Sequence, residues 1–157
     1  MRSLPLKTLP QDVTFDSLAL LEMHRASRRR ALEVTLARFN VSVSVISMYR
    51  YLSAKAYLKR NVERELEVLK DLYITLPLDD EVLSKAAMTE AKLLRKGIMM
   101  DLEEVLAGTS AIVHRTLLVT PDVERYKPLV EYGLDVMSLG KFLKEVERMV
   151  KEELEKG

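Results

Sequence analysis

The sequence predicts an α/β domain of three layers, with helices on both faces of a central, mostly parallel sheet. Two observations carry that expectation. Short β-branched runs, "VSVSVIS" (Val41 to Ser47) and "TLLVT" (Thr116 to Thr120), alternate with longer segments whose apolar residues recur at helical spacing. The chain has 157 residues, 48% of them apolar and 31% charged, which suits one domain able to bury a real core.

Residues 1–11 contain "MRSLPLKTLPQ", with two prolines and no continuous apolar stretch, and are expected to form an irregular lead-in and not a signal peptide. "VTFDSLALL" alternates at Val13 and Phe15 and then changes period, so a short strand should end near Asp16 and a helix begin at Ser17. That helix is expected to continue through the basic turn Arg25, Arg28, Arg29, Arg30 to Leu32 and Leu36. Val41 to Ser47 reads as the second strand.

"MYRYLSAKAYLKRN" and "VERELEVLKDLY" follow as helical segments, the latter with Val62, Leu66 and Leu69 on one face. "YITLP" is extended and stops at Pro77. Asp79 or Asp80 then caps a helix whose last turn is basic and whose end is marked by Gly97. "DLEEVLAGTSAI" is the next helix, Thr116 to Thr120 a strand closed by Pro121, and "GLDVMS" a short third or edge strand. A C-terminal helix over 139–156 should bury Leu143, Val146, Val150 and Leu154.

Composition excludes several chemistries. The chain has no cysteine, hence no disulfide, thiolate nucleophile or cysteine-ligated zinc, and only two histidines, His24 and His114. With 25 basic and 24 acidic side chains, a nucleic-acid contact would need a local basic patch. No apolar run reaches the ~18 residues of a membrane span, and a cytoplasmic protein is expected.

The acids carry more information. Asp101, Glu103 and Glu104 open the "DLEEVLAGTSAI" helix, where capping explains acids locally. In an open parallel sheet, however, ligands sit at the carboxyl ends of strands. Asp16 ends the first strand, Asp122 lies just beyond "TLLVT", and Glu103 and Glu104 start a helix whose amino end shares the same rim. Carboxylates so gathered need a positive partner, and oxygen-only ligation suits Mg²⁺ or Mn²⁺. Such ions can assist phosphodiester hydrolysis.

"VTFDSLAL", "DLEEVLAGTSAI" and "LLVTPDVERY", in that order and spacing, resemble the motifs of PIN-domain proteins, the fold of the VapC-type toxin ribonucleases. The likeness is nearest to small archaeal PIN proteins and runs from about Val13 to Met149. It implies a PIN-like α/β/α fold and Mg²⁺- or Mn²⁺-dependent cleavage of RNA, with an antitoxin partner and a homodimer as common accompaniments. Position by position, Asp16, Glu104 and Asp122 take the catalytic and metal-binding acids, with Asp101 and Glu103 as helpers. Ser17, Ser47 and Thr120 fall at the small polar positions that line the site.

One position departs from the pattern. Where the family usually has a Glu, "SMYRYL" has Arg50. At ~4 Å and an effective dielectric near 20, each Arg–carboxylate pair is worth about 4 kcal/mol before desolvation, so this guanidinium would compete with a metal for the same oxygens. Arg50 has three readings: a replacement for the ion, a grip on a substrate phosphate, or an ordinary surface arginine.

Arg25, Arg28, Arg29 and Arg30 could line an RNA path or form a solvated helix turn. Tyr51 and Tyr57, at a spacing of six, do not share a helix face, and packing explains them better than base stacking. Two functions follow: a metal-dependent endoribonuclease, as the toxin of a toxin–antitoxin pair, or a PIN fold with a weakened site that binds RNA or a protein without cutting. The C-terminal helix would serve dimerisation in either.

Overall fold

The computed structural model describes residues 9–156. Its sheet is formed by β1 (Asp12–Phe15), β2 (Asn40–Ser44), β3 (Ile74–Leu76), β4 (Leu117–Thr120) and β5 (Asp135–Ser138). All four pairings are parallel, and the strand order is β3-β2-β1-β4-β5. The helices are α1 (Ser17–Met23), α2 (Arg29–Arg38), α3 (Val45–Tyr57), α4 (Val62–Leu72), α5 (Asp80–Arg95), α6 (Leu102–His114) and α7 (Leu139–Lys156). Parallel neighbours cannot be joined by hairpins, and the connections β1–β2, β2–β3 and β3–β4 carry α-helices as the alternating pattern predicted.

Alternation within the strands divides the interior. Val13, Phe15, Val41, Val43, Leu117 and Val119 belong to one core, with Leu20, Met23, Leu139, Phe142 and Val146. Leu118 belongs to a second, with Leu93, Ala111, Tyr126, Leu129 and Leu134. Strand order reverses around β1, and the rim beside the carboxyl ends of β1 and β4 is where such a sheet binds ligands.

Several boundaries differ from expectation. β2 ends at Ser44, not Ser47, because the Ser44 hydroxyl accepts from the Ile46 amide and starts α3. β-branched Val45 and Ile46 thus extend the strand signal into a helix. The first helix is not continuous: α1 stops at Met23, and a 3-10 turn at Ala26–Arg28 redirects the chain into α2. A 3-10 segment, Val123–Tyr132, follows β4 where no element was expected.

Asp79 caps α5 as predicted, and Gly97 follows that helix with φ +77°. α7 buries Leu139, Phe142 and Val146; Leu143 and Val150 are half-buried, and Leu154, 75% exposed, is not on the buried side. Among the described residues no helix is long and apolar enough to cross a membrane. Residues 1–8 of the expected lead-in lie outside the described residues.

Candidate active site

Asp16 is fixed by its place in the chain. As the N-cap of α1 it accepts from the Ala19 amide through Oδ1 at 2.9 Å, so leaving β1 and entering the helix both aim this carboxylate at the rim. Its other oxygen, Oδ2, accepts from the Thr120 hydroxyl at 2.7 Å and the Tyr126 hydroxyl at 2.9 Å. Thr120 ends β4, the parallel neighbour of β1, so the sheet register itself brings this donor alongside. Burial raises the Asp16 pKa despite the Ala19 and Thr120 donors, and the charge of Glu103 adds to the rise.

Glu103 is the acid from α6 that enters the site, not Glu104. Asp101 and Glu104 make a capping box: the Asp101 carboxylate accepts from the Glu103 amide, and Glu104 folds back onto the Asp101 amide at 2.9 Å. That geometry occupies Glu104 and turns its neighbour inward. Glu103 Oε2 accepts from the Ser17 amide and the Ser47 hydroxyl, and Oε1 from the Ser17 hydroxyl, each at 2.8 Å. Ser17 opens α1 and Ser47 lies in the first turn of α3, so two helix starts grip one carboxylate.

Between the acids stands Arg125, from the 3-10 segment after β4. Its Nη2 is 3.2 Å from Glu103 Oε1, its Nε 3.1 Å from Glu104 Oε2 and its Nη1 3.9 Å from Asp16 Oδ2. Burial works against its charge, but Tyr126, Glu103 and Asp16 outweigh that and raise its pKa. The Tyr126 phenol is likewise raised, by burial first and then by Asp16 and Glu103, and so remains a proton donor to Asp16. Three carboxylates thus face one guanidinium.

The remaining expected residues lie elsewhere. Arg50, one helical turn beyond Ser47 on α3, binds Asp101 at 3.1 Å in an exposed pair and makes no bond to Asp16 or Glu103. Asp122 is exposed, and its amide donates to Thr120 Oγ1 at 3.2 Å. Asp16 and Glu103 are joined through Arg125, which also reaches Glu104, and the Asp122 amide borders the same network through Thr120. Arg25 and Arg28 both grip Glu22, and Arg29 reaches Glu33. Arg30 is exposed beside α7.

Arg125 and Tyr126 were not foreseen. The signal was present in "TPDVERY": residues three and four beyond Asp122 fall on the next helical turn, over the same rim. Gly108 of α6 lies against Leu129 of this segment. A Cβ there would stand 2.3 Å from Leu129 Cδ1, so a larger residue would require the Leu129 side chain to shift.

The oxygen donors of Asp16 and Glu103 are of the kind that would hold an Mg²⁺ or Mn²⁺ ion, but in this arrangement Arg125 stands among them. Each oxygen of Asp16 and Glu103 already accepts at least one hydrogen bond. The position for positive charge is filled by Arg125, and among the described residues no three acidic or imidazole side chains stand together as a metal-holding group.

No protein-family model matches the chain. A VapC ribonuclease of Pyrococcus furiosus is 54% identical over 146 residues, spanning 93% of this chain and 98% of that protein. Among solved structures, VapBC2 from Rickettsia felis, bound to a promoter DNA fragment, aligns with a TM-score of 0.68 over 81% of this chain and 98% of the matched one, at 14% identity. VapBC-1 from nontypeable Haemophilus influenzae aligns at 0.67 over 82% of this chain and 98% of its own, at 15% identity. Those two likenesses are of fold. The Pyrococcus relative is close enough along nearly the whole length of both chains to carry descent. Together with the parallel sheet and the acid pair on its rim, it makes this chain a member of the VapC ribonuclease family of PIN-domain proteins.

Proposed function

We propose that the protein is an endoribonuclease that hydrolyses RNA phosphodiester bonds and acts as the toxin of a toxin–antitoxin pair. The observation that carries this reading is the buried pair Asp16 and Glu103 at the carboxyl rim of β1, held by donors from Ser17, Ser47, Thr120 and Tyr126. Hydroxyls and amides that fix two carboxylates in one orientation preorganise a site for chemistry. Nothing in the packing of the core requires two acids there.

The cofactor of this reading is a divalent ion, Mg²⁺ or Mn²⁺, as the PIN resemblance implies. Its partners are RNA, an antitoxin protein of the kind that accompanies VapC in the VapBC complexes, and a second copy of the chain; its place is the cytoplasm. Glu104 adjoins the acid pair through Arg125, and Asp122, whose amide binds Thr120, is a further acid of this reading. For RNA, the support is a surface cleft of about 770 Å³ whose wall includes Arg25, Arg29, Lys55 and Arg60 and no carboxylate. Phosphates would meet uncompensated charge at Lys55 and Arg60, which form no ion pair among the described residues.

A second reading, a PIN fold that binds RNA or a protein without cutting, is favoured by Arg125 filling the cationic position. Incubation of a mixed RNA pool with the protein and millimolar Mn²⁺, with a chelator control, separates the two. Chelator-sensitive cleavage that Asp16→Asn and Glu103→Gln abolish supports the ribonuclease. RNA binding without cleavage by the folded wild type supports the second reading.

A further inference from the structure

Arg125 contacts three carboxylates with one side chain. Its Nε and Nη2 satisfy Glu104 and Glu103 at 3.1 and 3.2 Å, and Nη1 approaches Asp16 at 3.9 Å. Glu103 Oε1 has two donors, the Ser17 hydroxyl and Arg125, and regains a free lone pair only when the guanidinium leaves. A divalent cation placed among the same oxygens would face Arg125 as a like charge in a poorly solvated setting.

The two acids and the guanidinium differ in their access to water. The Asp16 side chain is fully buried, whereas that of Arg125 is 15% exposed and lies over the Tyr126 ring at 5.4 Å. Side-chain rotation can therefore carry Arg125 outward with the backbone in place. Asp16 cannot follow, because Ala19, Thr120 and Tyr126 hold it.

We propose that Arg125 is the resident cation of this site, and that its guanidinium and a divalent metal ion occupy the acid cluster in mutual exclusion. The proposal rests on the ribonuclease reading for the identity of the site. It makes the metal-free protein a resting form in which Arg125 partly neutralises the acids, and it makes metal affinity a property of one residue outside the acid set. Three carboxylates against one guanidinium leave the cluster short of positive charge, so exchange for an ion of higher charge is electrostatically favoured once Arg125 has moved.

The test is a Mn²⁺ titration of purified wild type, Arg125→Gln and Arg125→Lys by calorimetry, without RNA. Exclusion predicts that Arg125→Gln binds Mn²⁺ tighter than wild type by about tenfold or more, with Arg125→Lys nearer wild type. Affinities of wild type and Arg125→Gln within about twofold, or no Mn²⁺ binding by either, overturn it. Should Arg125→Gln fail to fold, the Arg125 Nε–H resonance of the wild type decides: loss of its hydrogen-bonded shift on Mg²⁺ addition supports exclusion, and an unchanged signal overturns it. An RNA-cleavage assay on the same preparations separates this from the parent reading. Cleavage with equal affinities removes the exclusion alone; tighter binding by the variant without cleavage by either protein removes the ribonuclease alone.

Discussion

The Tyr126 hydroxyl donates to Asp16 Oδ2 at 2.9 Å across 110 positions of sequence. This bond ties the segment after β4 to the turn after β1, and it shares its acceptor oxygen with Thr120. Both donors meet an acid whose burial already disfavours its charge. The carboxylate is therefore held by its neighbours and not by solvent.

Tyr126→Phe keeps the ring and removes the donor. Hydrogen bonds to charged groups contribute roughly 1.5–3 kcal/mol, and the Thr120 bond remains, so a loss of about 1.5 kcal/mol is expected. Urea denaturation of the variant beside wild type measures it. A loss near zero would mean that the bond contributes nothing to the folded state.

Ser47→Ala removes one of three donors at 2.8 Å from the buried Glu103. The variant should lose about 1.5–3 kcal/mol by the same measurement. Because Ser47 orients Glu103, RNA cleavage should fall by more than the small change in folded fraction explains. A rate per folded molecule equal to wild type would count against an orienting role.

Gly108→Ala should destabilise although alanine favours helix. The propensity gain is about 1 kcal/mol, while a Cβ 2.3 Å from the fully buried Leu129 must displace a packed side chain, at roughly 1–3 kcal/mol. A lowered melting temperature is expected, and Gly108→Val should be worse. A melting temperature above that of wild type would show that Leu129 moves freely.

His24 governs part of the acid limb of stability. Its ring is half-buried, bonded to the Tyr73 hydroxyl at 2.7 Å and packed near Tyr51. Burial lowers its pKa, Lys55 adds to the lowering, and Glu65 opposes it. The folded protein thus binds this proton less readily than the unfolded chain. The stabilisation is present above the ordinary imidazole value of 6.5 and is lost as pH falls from there through the lowered folded value. His24→Gln should flatten the stability profile in that window; an unchanged slope would assign the acid limb to other groups.

The sheet was legible because its strands are short, β-branched and separated by punctuating residues such as Pro77, Pro121 and Gly97. Position 47 was misjudged because propensity favours extending a β-branched run, while the structure is decided by Ser44 capping the next helix. Asp16 was legible from its place at a strand end, whereas Ser17 and Thr120 were marked only by the family resemblance. Which of Glu103 and Glu104 turns inward was not legible, because adjacent residues at a helix start differ by about 100° in direction and the capping box engages Glu104. The place of Arg125 one turn beyond Asp122 was readable in "TPDVERY", but its contacts were not. These depend on how closely the segment from Val123 approaches α6, where Gly108 lies against Leu129.

Asp16 both carries the site's charge and starts a helix, accepting from the Ala19 amide as the N-cap of α1. A substitution made to silence the chemistry therefore disturbs secondary structure too. Alanine at this position would forfeit a cap worth typically ~1 kcal/mol and strand the Thr120 and Tyr126 hydroxyls inside the protein. An inactive alanine variant would not by itself distinguish a lost reactant from a loosened turn, whereas asparagine, which retains an oxygen to cap the helix, keeps those two causes apart.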